Sequence, residues 1–196
     1  MSIRSVTMAG SIQIKKQPFE RHATVMFYLI LSELISIWIV TIAATYMLNG
    51  LVPTHFNLNG LPDAYGPSSN FLIIGITFSI APIIVMLIVF FRFELVNKYP
   101  YLINMPAFYS NIRDIKPSRR SYWVNKYFEI MLAVGVYITG ILLILAMGIY
   151  LGTKTGQLNS LIIFGPIALI IVVVVGLLFA LRNIYRRMQA EIKQKK

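Results

Sequence analysis

The stretch FLIIGITFSIAPIIVMLIVFF, from Phe71 to Phe91, decides the fold because its 21 residues include no acidic, basic or histidine side chain. An α-helix rises about 1.5 Å per residue, so a helix of this length crosses the roughly 30 Å hydrocarbon core of a bilayer. Lipid offers the backbone no hydrogen-bond partners, and a helix satisfies its N–H and C=O groups within one segment. The stretch therefore predicts a transmembrane helix.

Three further stretches have the same character, at 24–48, 127–151 and 160–181. Hydrophobic residues make up 57% of the 196-residue chain and charged residues only 13%, whereas soluble domains contain about 25% charged residues. The first stretch is too long, and its polar leader too extended, for a signal peptide that is removed. We therefore predict an all-α membrane protein, a bundle of four transmembrane helices.

The 18 Lys and Arg residues are distributed unevenly between the connecting segments. Four precede the first span, seven lie between the second and third, and six follow the fourth, whereas Lys154 alone lies between the third and fourth. By the positive-inside rule, both termini and the middle connection face the cytoplasm (N-in/C-in) in a multi-pass protein of the cell membrane. Because the cations stand beside apolar runs, we expect them to bind anionic lipid headgroups and expect no nucleic-acid partner.

The spans divide the chain into segments of which none outside the membrane reaches the roughly 40 residues that an unsupported domain needs. Any activity must therefore reside in the bundle and its connections. The predicted segments are a cytoplasmic leader (1–23), a helix–loop–helix unit (24–91) containing an outer loop (49–70), a cytoplasmic and interfacial connection (92–126), a hairpin of the third and fourth spans (127–181) and a basic cytoplasmic tail (182–196).

The 92–126 connection contains three prolines and many aromatic residues. This composition predicts short helices at the membrane surface, where aromatic rings anchor a protein. The expected aromatic belt comprises Tyr99, Tyr101, Phe108, Tyr109, Tyr122 and Trp123.

The outer loop LVPTHFNLNGLPDAYGP, from Leu51 to Pro67, contains no Lys or Arg and is dense in turn-forming residues. Asn59-Gly60 suits a type I′ turn, which requires a positive φ at both central residues. Phe56 and Tyr65, one on each arm, would pack the loop onto the membrane interface. We predict a compact cap over the outer ends of the first two helices.

This loop resembles the outer-loop motif of the SdpI-like family of small membrane proteins. That motif reads P-x-H-[FW]-N, two residues, G-x-P-D, one residue, an aromatic residue, and then Gly or Ser. The matching positions are Pro53, His55, Phe56, Asn57, Gly60, Pro62, Asp63, Tyr65 and Gly66. A weaker similarity follows the second span, where the stretch from Tyr99 to Pro106 is similar to the family's N-P-x-x-x-N-x-P.

The resemblance covers about 30–106 and implies a polytopic membrane protein that binds or neutralises a secreted toxic peptide and can sequester a repressor at the membrane. Relatives often carry a Lys just after the motif, where this chain has Pro67 and two serines. Carried over residue by residue, the resemblance predicts a ligand-binding site formed by Pro53, His55, Phe56, Asn57, Gly60, Pro62, Asp63 and Tyr65.

His55 and Asp63 are the only histidine and the only acidic residue of the outer loop, and they would meet if the chain folds back at Asn59-Gly60. They could form a structural hydrogen bond that holds the turn. They could instead recognise an external ligand, or hold a divalent metal together with asparagine oxygens. One histidine and one aspartate fall short of a usual ligand set, so we expect no metal here.

Glu33 lies well inside the first span, where an unpaired carboxylate costs at least about 2.5 kcal/mol. It should therefore face the interior of the bundle, where the neighbouring Ser32 and Ser36 could hydrogen-bond it. Two interpretations stay open. Glu33 forms a neutral hydrogen bond between helices, or it serves proton coupling or contact with a cationic ligand.

The sequence contains no phosphate-binding loop, zinc-protease motif or nucleophile elbow, and no cysteine, so we expect neither an enzyme nor a cofactor.

Three functions remain open. The protein is a membrane immunity or sensor protein that recognises an external peptide or amphiphile and signals to a cytoplasmic partner; or a small proton-coupled transporter that uses Glu33 and forms a homo-oligomer; or a non-catalytic accessory subunit of a larger membrane complex.

Overall fold

Four long apolar helices form a bundle in the computed structural model, which describes residues 12–194. Each helix is long and apolar enough to cross a membrane, which confirms the predicted all-α fold with four transmembrane helices. The chain is a multi-pass membrane protein. The predicted leader (1–23) and tail (182–196) lie partly outside the described residues. The four helices are α1 (Arg21–Met47), α2 (Asn70–Phe90), α5 (Pro117–Thr155) and α6 (Ser160–Lys193).

Shorter elements lie at the two ends of the bundle. Strands β1 (Leu51–Phe56) and β2 (Pro62–Pro67) pair in an antiparallel hairpin between α1 and α2. Helix α3 (Arg92–Lys98), a 3₁₀ turn (Pro100–Leu102) and helix α4 (Pro106–Asn111) connect α2 to α5. We call the end that carries β1 and β2 the hairpin end, and the opposite end, which carries residues 12–20, α3 and α4, the basic end.

Local sequence sets the limits of the last two long helices. Pro117 occupies the first turn of α5, where its missing N–H costs nothing and its fixed φ suits a helix. Gly156, with a φ of 75°, ends α5 in the left-handed conformation. Asn159 then caps α6, because its side chain accepts a hydrogen bond from the N–H of Leu161 at 2.8 Å. The connection between α5 and α6 is therefore a tight turn.

Helices α1, α2 and α5 pack against one another at a glycine of α5. A Cβ atom placed on Gly135 would lie 2.8 Å from Ile30 of α1 and 2.9 Å from Val85 of α2. The missing side chain is what lets the three helices approach closely. Helix α6 packs on α5. Within the described chain, the most apolar stretch of α6 has no buried residue. The surface of this stretch is therefore left for lipid.

Arg92 is the polar centre of the basic end. Its Nε donates a hydrogen bond to Oδ1 of Asn125 at 2.8 Å. Its other two nitrogens donate to the backbone oxygens of Val89 at 3.1 Å and of Gln17 at 2.9 Å. The guanidinium also lies 3.7 Å from the centre of the Phe19 ring. Burial lowers the pKa of Arg92, although a guanidinium remains charged in proteins.

The extended segment 12–20 is fastened to this end by side chains of α3. The amide of Asn97 exchanges two hydrogen bonds with the backbone of Ile14, at 2.8 and 2.9 Å, as a neighbouring strand would. Lys16 pairs with Glu94, and this hydrogen bond lowers the pKa of the Glu94 carboxyl. Together with Arg92, these contacts clamp the segment across the basic end.

Two of the six predicted belt residues belong to the core instead. Phe108 of α4 and Trp123 of α5 are buried in the same hydrophobic cluster as Phe128. The other end of the predicted belt, Tyr99 and Tyr101, is exposed.

Candidate functional site

The predicted cap at the hairpin end is a two-stranded β-hairpin. Val52 lies opposite Gly66 and Pro53 opposite Tyr65, and the pairing becomes irregular around His55. The register brings the two arms of the motif together, which is the arrangement that the turn-rich sequence predicts.

The predicted type I′ turn at Asn59-Gly60 is wrong. In the hairpin only Gly60 has a positive φ, of 76°. The N–H of Gly60 donates to the Asn57 oxygen and the N–H of Asn57 to the Leu61 oxygen, both at 2.9 Å, which is the pattern of a three-residue loop with a left-handed glycine. The Asn57 side chain explains the difference, because its Oδ1 accepts from the N–H groups of Asn59 and Leu61 and stabilises the wider loop.

The tip of the hairpin docks on the connection between α5 and α6. The N–H of Leu158 donates a hydrogen bond to the Gly60 oxygen at 2.8 Å. A Cβ atom on Gly60 would lie only 2.1 Å from the Leu158 oxygen. Glycine is therefore required here by both the backbone conformation and the close approach.

The base of the hairpin packs on the helices beneath it. Val52 is buried against Ala44 of α1 and Phe71 of α2. The Ser68 hydroxyl donates to the backbone oxygen of Thr45 at 3.0 Å and ties the exit of β2 to α1. The hairpin is thus held at its base and at its tip, and its strands span the space between.

His55 and Asp63 form the predicted pair. Nδ1 of His55 lies 2.5 Å from Oδ1 of Asp63, and the two side chains are 66% and 46% exposed. The pair stands on the exposed surface of the hairpin, and Tyr65, two residues after Asp63 on the same strand, is 58% exposed. Such a pair can donate and accept hydrogen bonds toward an incoming ligand.

The eight predicted ligand-binding residues divide by burial. Gly60 is buried in the docking contact and Asn57 serves the turn, so these two shape the hairpin. His55, Asp63 and Tyr65 are exposed. Pro53, Phe56 and Pro62 are partly buried, and Phe56 and Tyr65 lie on opposite arms as predicted.

Two clefts flank the docking contact between Gly60 and Leu158. One, of about 470 Å³, lies beside β1 and is bounded by His55, Phe56 and the first turn of α2. The other, of about 840 Å³, lies between the last turns of α5 and the first turn of α6, with Asn59 on its rim. Leu158 lines both clefts, so the hairpin tip separates two largely apolar recesses at the same end of the bundle.

An uncharacterized protein of Archaeoglobus fulgidus is 37% identical to this chain over 150 residues, which are 76% of this chain and 82% of that protein. The chain belongs to the same family as this archaeal protein. No protein-family model matches the chain, and no solved structure matches it.

In this member of the family, Glu33 lies apart from the hairpin site. It faces α5, where its Oε1 is 3.3 Å from the position of a Cβ on Gly140. Its Oε2 is buried and has no hydrogen-bond partner among residues 12–194. The predicted bonds from Ser32 and Ser36 are wrong, because both hydroxyls donate to backbone oxygens of their own helix, as serine does in membrane helices.

Sequence reasoning missed the part of the site that comes from the third and fourth spans. Leu158 and Ile149 line the cleft beside β1, although they are distant from the motif in sequence. The tight turn from Gly156 to Asn159 was the available signal, since a short connection must lie at the same end of the bundle as the loop between α1 and α2.

Proposed function

We propose that this protein is a membrane sensor or immunity protein of the cell membrane, oriented N-in/C-in, that recognises an external peptide or amphiphile at its hairpin end. One observation carries the proposal. His55, which pairs with Asp63 on an exposed and anchored hairpin, lines a largely apolar cleft of about 470 Å³. A cleft with a few convergent polar groups is the usual form of a ligand site.

The chemistry of the hairpin end suits an amphiphilic ligand. The clefts offer apolar walls to a hydrophobic side chain or acyl chain. His55 offers a hydrogen-bonding group at one cleft, and its partner Asp63 and the neighbouring Tyr65 are exposed on the same hairpin. The two connections at this end, 48–69 and 156–159, contain no Lys or Arg, and Lys154 stands in the last turn of α5. Recognition would therefore depend on shape and hydrogen bonds, with little contribution from long-range electrostatics.

The route to a cytoplasmic partner is the bundle itself. Helices α1 and α5 run from the hairpin end to the basic end and pack along their length. A ligand that shifts the hairpin relative to Leu158 would act on the C-terminal end of α5. The first turns of the same helix lie at the basic end, where Ser121 holds segment 12–20 through the Lys15 oxygen. The exposed cations of the basic end are suited to an acidic partner or to anionic lipid.

The test is survival of a sensitive host that expresses the full chain and is challenged with a set of amphipathic toxic peptides. We expect the wild type to protect, and His55→Ala or Asp63→Asn to lower protection at least about tenfold, which corresponds to about 1.4 kcal/mol of binding. Leu58→Ala, an exposed change in the hairpin loop that lines neither cleft, is the control and should protect. Protection that survives both the His55 and the Asp63 change contradicts the proposal.

A second candidate function, a proton-coupled carrier, is favoured by Glu33, whose buried Oε2 lacks a partner within the described chain. An intramembrane acid of this kind suits proton transfer. Glu33→Gln distinguishes the two candidates in the same host. The sensor proposal expects protection to be unchanged, whereas a carrier requires loss of activity together with a loss of proton flux in vesicles.

A further inference from the structure

A second cluster of ligating side chains lies at the basic end, where α1 begins beside α5. Nε2 of His22 lies 3.2 Å from Oε2 of Glu129, and Nδ1 of His22 lies 3.6 Å from Oε2 of Glu20. One ligand atom from each of these three residues can be chosen so that all lie within 4.8 Å of one another. His22 lies in the first turn of α1, Glu20 is the residue just before that helix, and Glu129 lies in α5, which packs against α1. Their positions are therefore fixed by the fold.

A cation already occupies the middle of this cluster. The ammonium of Lys126 lies 2.8 Å from Oε2 of Glu129 and 3.2 Å from Oε2 of Glu20. Two carboxylates around one ammonium leave one negative charge unbalanced when His22 is neutral. The cluster therefore attracts a further positive charge, although the chain as a whole carries a formal charge of +11.

Glu129 provides an independent sign that the cluster is incomplete. Its side chain is only 10% exposed, and its second oxygen, Oε1, is buried with no hydrogen-bond partner among the residues that the structure describes. A buried carboxylate oxygen without a partner carries a large desolvation cost. A metal ion bound by this carboxylate would offset that cost.

We propose that Glu20, His22 and Glu129 form a binding site for a divalent transition-metal ion of the Zn²⁺ class. One imidazole nitrogen and two carboxylate oxygens are ligands that zinc accepts, with water in the fourth position. Magnesium and calcium prefer oxygen ligands alone, so the histidine favours zinc. The metal displaces the ammonium of Lys126, for which the Tyr122 ring, 5.3 Å from Nζ, offers a cation–π contact.

The site would join α1 to α5 at the basic end. Glu20 and His22 flank Arg21, the first residue of α1, and Glu129 lies in the first half of α5. Because a metal that binds the folded chain stabilises it by mass action, bound zinc would strengthen the attachment of segment 12–20. This site is independent of the ligand proposed for the hairpin end.

The test is titration of the detergent-solubilised full chain with Zn²⁺ against a chromogenic chelator. We expect one zinc ion per chain and a higher midpoint of thermal unfolding with zinc present. His22→Ala and Glu129→Gln should each weaken binding at least about tenfold. His55→Ala removes the other of the two histidines, and Glu191→Gln removes an acid that pairs with Arg119 at the same end; both should bind as the wild type does.

Lys126→Met keeps the proposal testable if a ligand variant fails to fold. Removing the competing ammonium leaves the two carboxylates facing each other, so zinc should bind at least about tenfold more tightly than in the wild type. The proposal is overturned by a wild type that takes up no zinc at micromolar concentrations. It is also overturned by zinc binding that His22→Ala leaves unchanged or that Lys126→Met does not strengthen.

Discussion

Gly60→Ala is expected to detach the hairpin tip from the α5–α6 connection and to destabilise the hairpin end by about 3 kcal/mol. A left-handed conformation costs an alanine about 1–2 kcal/mol. The remainder comes from the Cβ, which would lie 2.1 Å from the Leu158 oxygen and must push the two segments apart. The hydrogen bond from the Leu158 N–H to Gly60 is lost as a consequence.

The measurement is hydrogen–deuterium exchange of the Leu158 amide and of the hairpin amides in detergent micelles. Gly50→Ala is the matched control, because Gly50 has a φ of 78° but no described atom within 4 Å of its Cβ position. The control should show the conformational cost alone and leave the Leu158 amide protected. Equal exchange in the two variants would mean that the docking contact has no energetic role.

Arg92→Ala is expected to be the most destabilising change at the basic end, by at least about 3 kcal/mol. The change removes two hydrogen bonds in a buried site, to Oδ1 of Asn125 and the Val89 oxygen, and one partly buried bond to the Gln17 oxygen. A buried hydrogen bond lost in this way costs about 1–3 kcal/mol. Lysine should recover little of this, because one ammonium cannot reproduce the fork of the guanidinium. Segment 12–20 should come loose, since Arg92 holds it through Gln17.

Thermal unfolding and limited proteolysis at residues 12–20 measure both consequences. Arg113→Ala removes an equally charged but exposed side chain of the same end, and should change neither the midpoint nor the rate of cleavage. If Arg92→Ala unfolds with the wild-type midpoint, the hydrogen bonds of Arg92 do not hold the basic end together.

Much of the fold could be predicted because lipid imposes a simple rule. An apolar run such as Phe71–Phe91 has one structure open to it in a bilayer, so the four helices follow from composition and length. Their ends follow less well, since α5 begins at Pro117, well before the predicted span at 127. The first turns of α5 are polar and lie outside the hydrocarbon core. A hydropathy scan detects only the apolar part of a helix, so it does not find these turns.

The site was predictable where it is local in sequence. His55 and Asp63 stand eight residues apart around a turn, and the hairpin brings them into contact. The turn type was missed because it depends on the Asn57 side chain, and the docking on Leu158 was missed because it joins segments a hundred residues apart. The role of Arg92 was also missed, because two of its three partners, Asn125 and Gln17, come from distant parts of the chain.

The most direct test of the central claim is to measure on which side of the membrane the hairpin lies. Because the sequence contains no cysteine, single cysteines can be introduced and labelled one at a time. Ala64→Cys places one thiol on the exposed hairpin, and Ser118→Cys places one at the exposed start of α5. A membrane-impermeant maleimide applied to intact cells should label Ala64→Cys at once, and should label Ser118→Cys only after the membrane is permeabilised. Labelling of Ser118→Cys but not of Ala64→Cys in intact cells would place the hairpin in the cytoplasm and contradict recognition of an external ligand.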